Sequence, residues 1–298
     1  MNQNINSISS YLKNHFGSKT VKLSLDGGFT CPNRDGKKGY GGCLFCSESG
    51  SGDTASNIED QIRLLSDKWP NANYIAYFQN HTNTYAPVEE LREKYQKALD
   101  HPMISGIAIA TRPDCLGDDV LDLLSEINEN NFMWVELGLQ TIHDETSKKM
   151  NIGYTLSEFD RAISELNKRN IKTVVHLILG LPGETRDDMV QSVKYVCASG
   201  AWGLKLHLLN VVKGSQMATL YPDYNSFDSL ESYVNFVCDL IEIIPPEIVI
   251  HRLTADAPRK ILMTPEWSYK KRTILNGIHN ELRRRGSYQG CKLKENNA

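Results

Sequence analysis

The chain has 298 residues, of which 40% are hydrophobic and 23% charged, with a formal net charge of −3. That length holds one large α/β domain or two modest ones, the composition is ordinary for a soluble globular protein, and the small net charge does not advertise a nucleic-acid binder. No apolar run approaches the ~20 residues that span a bilayer. The polar N-terminus MNQNINSISSYLKNHF lacks the features of a secretory signal, so the expected location is the cytoplasm and the expected state of the seven cysteines is the reduced thiol.

In chain order, short apolar or β-branched runs at 21–25, 74–78, 106–110, 132–139, 173–178 and 203–208 read as strands. Amphipathic stretches at 58–69, 88–99, 118–129, 156–170 and 186–199 read as the helices between them. Helix starts are signalled by Pro87 with Glu89 and Glu90, by Asp118 and Asp119, by Thr155 with Glu158, and by Thr185 with Asp187 and Asp188; Asn170 and Gly200 stand where helices should end. This alternation predicts parallel βαβ units, either a partial (βα)6 TIM-like barrel or a doubly wound sheet. Either fold puts its active site at the C-terminal ends of the strands.

After the first run comes Cys31, and the spacing to Cys43 and Cys46 is C-x11-C-x2-C. Two thiolates two residues apart grip one metal centre, and a third on a glycine-rich loop closes on it. Three thiolates leave a [4Fe–4S] cluster with one iron open to a cofactor or substrate. A structural zinc with a histidine as fourth ligand is the competing reading. Cys197 and Cys238 lie on apolar helix patterns and read as core.

This loop resembles that of the radical S-adenosylmethionine (SAM) superfamily, in which an aromatic residue, here Phe45, precedes the last cysteine. The longer first gap is similar to that of the subgroup containing the Elongator catalytic subunit and oxygen-independent coproporphyrinogen oxidase. The segments TCPNRDG, YFQNHTNTYAP, IATRPDC, ELGLQT, GLPGET, KLHLL, KGS, IIPPEIVIHRLT and RGSYQG resemble the YtqA/YhcC-type family of small radical SAM proteins over nearly the whole chain. The resemblance implies a radical SAM core over residues 1–258 and a C-terminal extension over 259–298 packed on the same domain.

It also implies roles at the strand ends. Gln79, Asn80 and Thr82 are candidates for the SAM amino group. Glu136 and Gln140, with Gly138 between them, alternate onto one side of the fourth strand, and the hydroxyls of a ribose would satisfy their polar groups. His176 stands where some relatives place a ribose-binding Asp, and Gly180 and Leu181 match the stretch whose backbone lies against adenine. Arg112 serves SAM or a substrate phosphate, or pairs with Asp114. Relatives commonly carry Asn-Arg-Gly where this chain has Asn151-Ile152-Gly153; Ile152 cannot meet the SAM carboxylate, and Lys149 or Arg161 is the expected substitute. Lys205, His207, Lys213, His251 and Arg252 do not belong to the shared SAM machinery and are the substrate-side candidates.

The resemblance further implies an electron from a flavodoxin- or ferredoxin-type donor and SAM cleavage to a 5′-deoxyadenosyl radical. The expected substrate is tRNA, with the wobble uridine taken from the 5-carboxymethylaminomethyl to the 5-aminomethyl form. From Arg259 onward ten lysines and arginines stand against three acidic residues, while residues 1–258 carry a net −10. With Trp267, Tyr269, Arg283, Arg284, Arg285 and Tyr288, this tail reads as an RNA-binding face or as a solvated helix. The alternatives are a radical SAM enzyme acting on a small molecule, and a non-catalytic metal-binding protein that interacts with tRNA.

Overall fold

A computed structural model describes residues 4–50 and 54–293. After an N-terminal helix α1 (Ile8–Phe16) the chain alternates β1 (Thr20–Leu25), α2 (Ile58–Ser66), β2 (Asn73–Phe78), α3 (Val88–Leu99), β3 (Ile104–Thr111), α4 (Asp118–Asn130) and β4 (Met133–Gln140). A short α5 (Asp144–Lys149) precedes α6 (Leu156–Lys168), followed by β5 (Thr173–Leu179), α7 (Arg186–Ala198) and β6 (Gly203–Leu208). The remainder is β7 (Val211–Val212), α8 (Met217–Leu220), α9 (Leu230–Ile243), β8 (Val249–Arg252), β9 (Leu262–Thr264) and α10 (Lys271–Arg285).

All six anticipated strands and five anticipated helices form. Thr155 and Thr185 each close a capping box with the residue three positions on, Glu158 and Asp188. Asn170 and Gly200, just past α6 and α7, adopt left-handed φ values of 54° and 82° that terminate the helices. The departures are a shorter α2, which ends at Ser66, a seventh strand in the main sheet, β8, and the unanticipated elements α1, α5, α8, α9, α10, β7 and β9. Only two residues of β8, Val249 and Ile250, are apolar, so its extended state depends on pairing with β6 rather than on its own pattern.

The main sheet has the order β1-β2-β3-β4-β5-β6-β8 and every pairing is parallel. In a flat sheet β2 and β6 would lie roughly 19 Å apart, at about 4.8 Å per strand. Yet the Tyr77 hydroxyl of β2 is 3.0 Å from the Lys205 ammonium of β6. The sheet therefore curls into a partial barrel with one side-chain face turned inward. The pleat separates two cores. Leu23, Ile107, Val135, Val175 and Leu204 face outward against the helices. Ile75, Ala108, Trp134 and Val174 face inward.

Helix α1 closes the N-terminal end. Ser7 bridges to Ile250, and the Ile250 amide donates to the Asn6 carbonyl at 2.8 Å. Leu12 of α1 is buried with the inward core, and Tyr11 packs edge-on to Trp202. At the other end of the chain α10 lies on α9 through Ile274, Ile278 and Leu282, all fully buried. Arg285 fastens the two helices by binding Asp239, Glu242 and Glu281. Helix α10 is thus packed against α9; Lys294 and Glu295 of the basic tail lie outside the described residues.

Truncating Ile278 to Ala should cost about 2–5 kcal/mol in denaturant unfolding, because the α9–α10 contact cannot collapse onto the cavity. A loss below about 1 kcal/mol would show that α10 is not integral to the domain.

Candidate active site

The cysteine loop lies across the C-terminal ends of the strands, as the alternation predicts. Asn33 and Asn151 hold it by reciprocal side-chain bonds: Asn33 Nδ2 donates to the Asn151 carbonyl at 2.6 Å, and Asn151 Nδ2 donates to the Gly42 carbonyl at 2.8 Å. The Leu44 amide donates to the Met150 carbonyl at 3.0 Å. Gly153, at φ 78°, leaves no room for a Cβ, which would meet Asn33 Oδ1 at 2.9 Å. The Asn151-Ile152-Gly153 turn is therefore a clasp built from backbone, and Ile152 is wholly buried with Leu44, Ile178 and Leu209.

Arg112 completes the clasp. Its guanidinium pairs with both oxygens of Asp114 at 2.9 Å and donates to the carbonyls of Ile152 at 3.0 Å and Gly153 at 3.2 Å. Of the alternatives open in the sequence, the structure has the Asp114 pair. Arg112 Nη1 also donates to Cys31 Sγ at 3.9 Å.

Cys31, Cys43 and Cys46 line one cavity, together with Phe45, Gln79, Thr82, Gln140 and His176. The Cys43 thiol is held well above the usual thiol range by its hydrogen bond to Cys46, by burial, and by the neighbouring Cys46 and Cys31 charges. A polynuclear iron centre would supply the positive charge that three crowded thiolates lack. No group of three or more His, Cys, Asp or Glu among the described residues is drawn together as a ready site for one metal ion. Thr82 Oγ1 and His81 Nδ1 border the cavity, buried and without a protein partner. These features fit a cluster and a polar organic cofactor. The sequence reading missed His81 and Arg34; both stand in segments, YFQNHTNTYAP and TCPNRDG, whose individual polar residues carry no periodic signal.

Deeper in the barrel, Glu136 is the centre of a polar layer. Its Oε2 accepts from the Tyr77 hydroxyl at 2.6 Å, from His176 Nε2 at 2.9 Å and from the Lys205 ammonium. Its Oε1 accepts from Trp134 Nε1 at 2.9 Å and from Lys22 at 3.5 Å. Partners thus come from β1, β2, β4, β5 and β6. The carboxyl is held well below the usual range because, although burial opposes it, Lys205 and Lys22 favour the charge. The sequence reading gave Glu136 a ribose as partner; in the structure its need for partners is met by protein, although it still borders the cavity.

Other candidates separate by position. Lys205, His207 and Arg252 border the cavity. Lys213 is exposed and lies off it. His251 lies off the cavity lining: its ring is 5.7 Å from that of Trp134 and 5.0 Å from that of Trp202, at the closed end of the barrel. Gly180 and Leu181 also lie off the cavity lining. A Cβ on Gly180 would meet Ser226 at 2.2 Å, and its carbonyl accepts from the Tyr224 hydroxyl at 3.1 Å. The close approach that this glycine permits is made by the 221–227 segment, and Leu181 is buried beside Ile152. Asn80 is buried outside the cavity lining, with its Oδ1 unpartnered. Neither expected substitute for the missing arginine reaches the cavity: Lys149 lies over the Tyr221 ring and Arg161 donates to the Leu116 carbonyl at 3.0 Å.

Burial, and then the Lys205 charge, push the His176 imidazole down to about 4 from a usual 6.5. An unfolded chain therefore binds a proton between those values that the folded chain does not, so stability is full above the upper value and is lost as pH falls toward the lower. His176 should contribute about 2 kcal/mol of the stability lost between pH 7 and pH 5. Denaturant midpoints of wild type and His176→Gln at the two pH values check this; equal slopes in the two proteins would refute it.

A profile of the Radical SAM superfamily matches residues 31–196, and one of the Radical_SAM C-terminal domain matches residues 201–284. The protein YtqA of Bacillus subtilis (strain 168) is 46% identical over 289 residues, covering 94% of this chain and 90% of that one. A tRNA uridine(34) acetyltransferase of Dehalococcoides mccartyi (strain CBDB1) is 25% identical over 158 residues; the match covers 51% of this chain and 34% of that protein. Among solved structures, an archaeal Elp3 from Methanocaldococcus infernus with an N-terminal deletion superposes with a TM-score of 0.68 at 15% identity. That alignment covers 92% of this chain and 65% of the Elp3 chain, so this chain spans just under two thirds of its length, and the likeness is one of fold. The partial barrel, the three-cysteine loop at its mouth and the profile match over more than half the chain make this protein a member of the radical SAM superfamily.

Proposed function

We propose that this chain is a radical SAM enzyme that acts on the wobble uridine of tRNA, converting the 5-carboxymethylaminomethyl form to the 5-aminomethyl form. The observation that carries the reading is a single cavity with the three-cysteine loop on one side and a basic, aromatic rim beside its mouth. Cys31, Cys43 and Cys46 would hold a [4Fe–4S] cluster. Gln79, Thr82, Gln140 and His176 would hold SAM along the strand ends. When bound, cluster and SAM together supply a radical able to take a hydrogen atom from an unactivated carbon. The protein orients the substrate and keeps water out; the apolar wall of Phe45, Ile178, Leu208 and Leu209 serves that purpose.

The RNA reading rests on the rim. Lys213 follows β7, and its amide donates to the Ile261 carbonyl at 2.8 Å, beside the exposed Arg259 and Lys260. Arg259 stacks 4.5 Å over the Tyr269 ring, which is 40% exposed and also flanked by Lys270 at 5.8 Å. Asp256 and Ala257 of the same segment border the cavity. Cationic side chains around an exposed aromatic ring suit a phosphate backbone and an unstacked base. The residues farther along the tail contribute less: Arg284 and Arg285 are spent on Glu281, Asp239 and Glu242, and Trp267 packs on Tyr233. The match to a tRNA uridine(34) acetyltransferase supports the same substrate class.

Two measurements test the reading. Anaerobically reconstituted protein with SAM and dithionite should release 5′-deoxyadenosine, and the triple Cys31/Cys43/Cys46→Ala variant should release none; a fully loaded cluster that never cleaves SAM would overturn the enzymatic reading. The double variant Lys260→Glu/Lys270→Glu should bind tRNA at least about tenfold more weakly and lower the slope of log affinity against log salt by about 2. Unchanged binding, or full activity on free nucleoside, would point instead to a small-molecule substrate.

A further inference from the structure

The cations at the cavity differ in how far the protein has already committed them. Arg112 is spent on Asp114 and the Ile152-Gly153 carbonyls. Arg34 donates to the Ser47 carbonyl at 2.5 Å and to that of Glu48 at 3.2 Å. Lys205 is bound to Tyr77 and Glu136. Arg252 differs: among the described residues its ion pair is with Asp256 at 3.8 Å, beyond hydrogen-bond length, and the same Asp256 oxygen is held by Lys271. A guanidinium carries five N–H donors and stays charged at any physiological pH. Arg252 therefore brings a full charge to the cavity with its donors unassigned.

Its surroundings call for an anion. Lys22 and Lys205 flank one buried carboxylate, Glu136, and the positive charge of Arg252 is felt by Lys22, Lys205, His176 and His207 alike. Arg252 stands opposite Lys205 in the β6–β8 register, and His207 lies two residues farther along the same face of β6. His207 Nε2 is buried and has no partner. A neutral imidazole with a free ring nitrogen donates as readily to an oxyanion as an amide does.

We propose that Arg252 and His207 form a carboxylate-binding site in the wall of the cavity, and that the carboxylate it takes is the one on the modified base of the substrate. Arg252 binds it through paired N–H donors, the geometry that guanidinium and carboxylate share, and His207 donates from the strand beside it. The site fixes the position of the carbon next to the carboxylate. It also gives the enzyme a way to tell its substrate from bases without the acid group. This inference rests on the wobble-uridine reading for the identity of the base. SAM also carries a carboxylate, and the two sources separate by experiment.

The test is a binding measurement that needs no turnover. Full-length protein with reconstituted cluster and SAM, without reductant, is titrated with two anticodon stem-loops, one bearing 5-carboxymethylaminomethyl-uridine and one its carboxamide. Wild type should prefer the acid by about 10- to 100-fold, the range expected for hydrogen bonds to a charged group. Arg252→Gln should abolish the preference and leave affinity for the amide within about twofold, while Arg252→Lys should keep part of it. SAM affinity, measured by equilibrium dialysis, should be the same in wild type and Arg252→Gln, which also reports that the variant is folded. The proposal is overturned if wild type does not prefer the acid, if the preference survives Arg252→Gln, or if SAM affinity falls in step with it. Failure of the wobble-uridine reading looks different: wild type would keep its preference for the acid yet leave the base unchanged after reduction.

Discussion

A carboxylate with no exposure at the centre of a barrel must be answered from every side or it will not ionise. Glu136 is answered by Lys22, Tyr77, Trp134, His176 and Lys205, which come from five strands. Because these strands are as many as five places apart in the sheet, the contacts are compatible only with a curled sheet. The same five partners therefore bear on the curvature of the barrel, on the floor of the cavity and on the electrostatics of all that binds above it. The layer also divides the barrel lengthwise. Below it the aromatic packing of Tyr11, Phe132, Trp134 and Trp202 with α1 makes a closed end. Above it lies the cavity.

The upper end is organised by backbone rather than by charge. Asn33, Asn151 and Gly153 lock the cysteine loop to the segment after α5, and Arg112 fastens that segment from below. This explains how the turn tolerates Ile152. Its neighbours Asn151 and Gly153 carry the loop-holding work, and the Ile152 side chain turns into an apolar cluster with Leu44 and Leu209. Neither expected substitute takes over at that point, since Lys149 and Arg161 lie outside the cavity. Arg252 adds a further positive charge to the lining, opposite Lys205 in the β6–β8 register.

The basic tail shows how composition and structure part company. Counted along the chain, its charges form one block. In the fold, Arg284 and Arg285 serve helix packing, and the exposed cations that remain by the cavity, Arg259, Lys260 and Lys270, are joined by Lys213 from a distant part of the sequence. Lys213 reaches them because β7 pairs with β9. Burial of a charged stem and exposure of a charged head are decided by which surface lies beneath the residue.

Much of the fold was legible in the sequence because its signals are local. Alternating apolar runs, capping threonines and a left-handed Asn170 or Gly200 act over three or four residues and survive into the structure unchanged. The cysteine spacing and its place after β1 were local in the same sense. What depended on partners distant in sequence was decided only by the tertiary structure. Val249–Arg252 became a strand because β6 lies beside it, and Lys22 and Tyr77 became part of the site because the sheet curls toward Glu136. His251 and Arg252 are neighbours in sequence, yet packing put His251 among tryptophans and Arg252 at the cavity wall. Gly180 promised a close approach, but which group approached depended on a segment more than forty residues away, Ser226. A sequence specifies what a residue is able to touch, and the curvature of the sheet with the paths of its loops decides what it does touch.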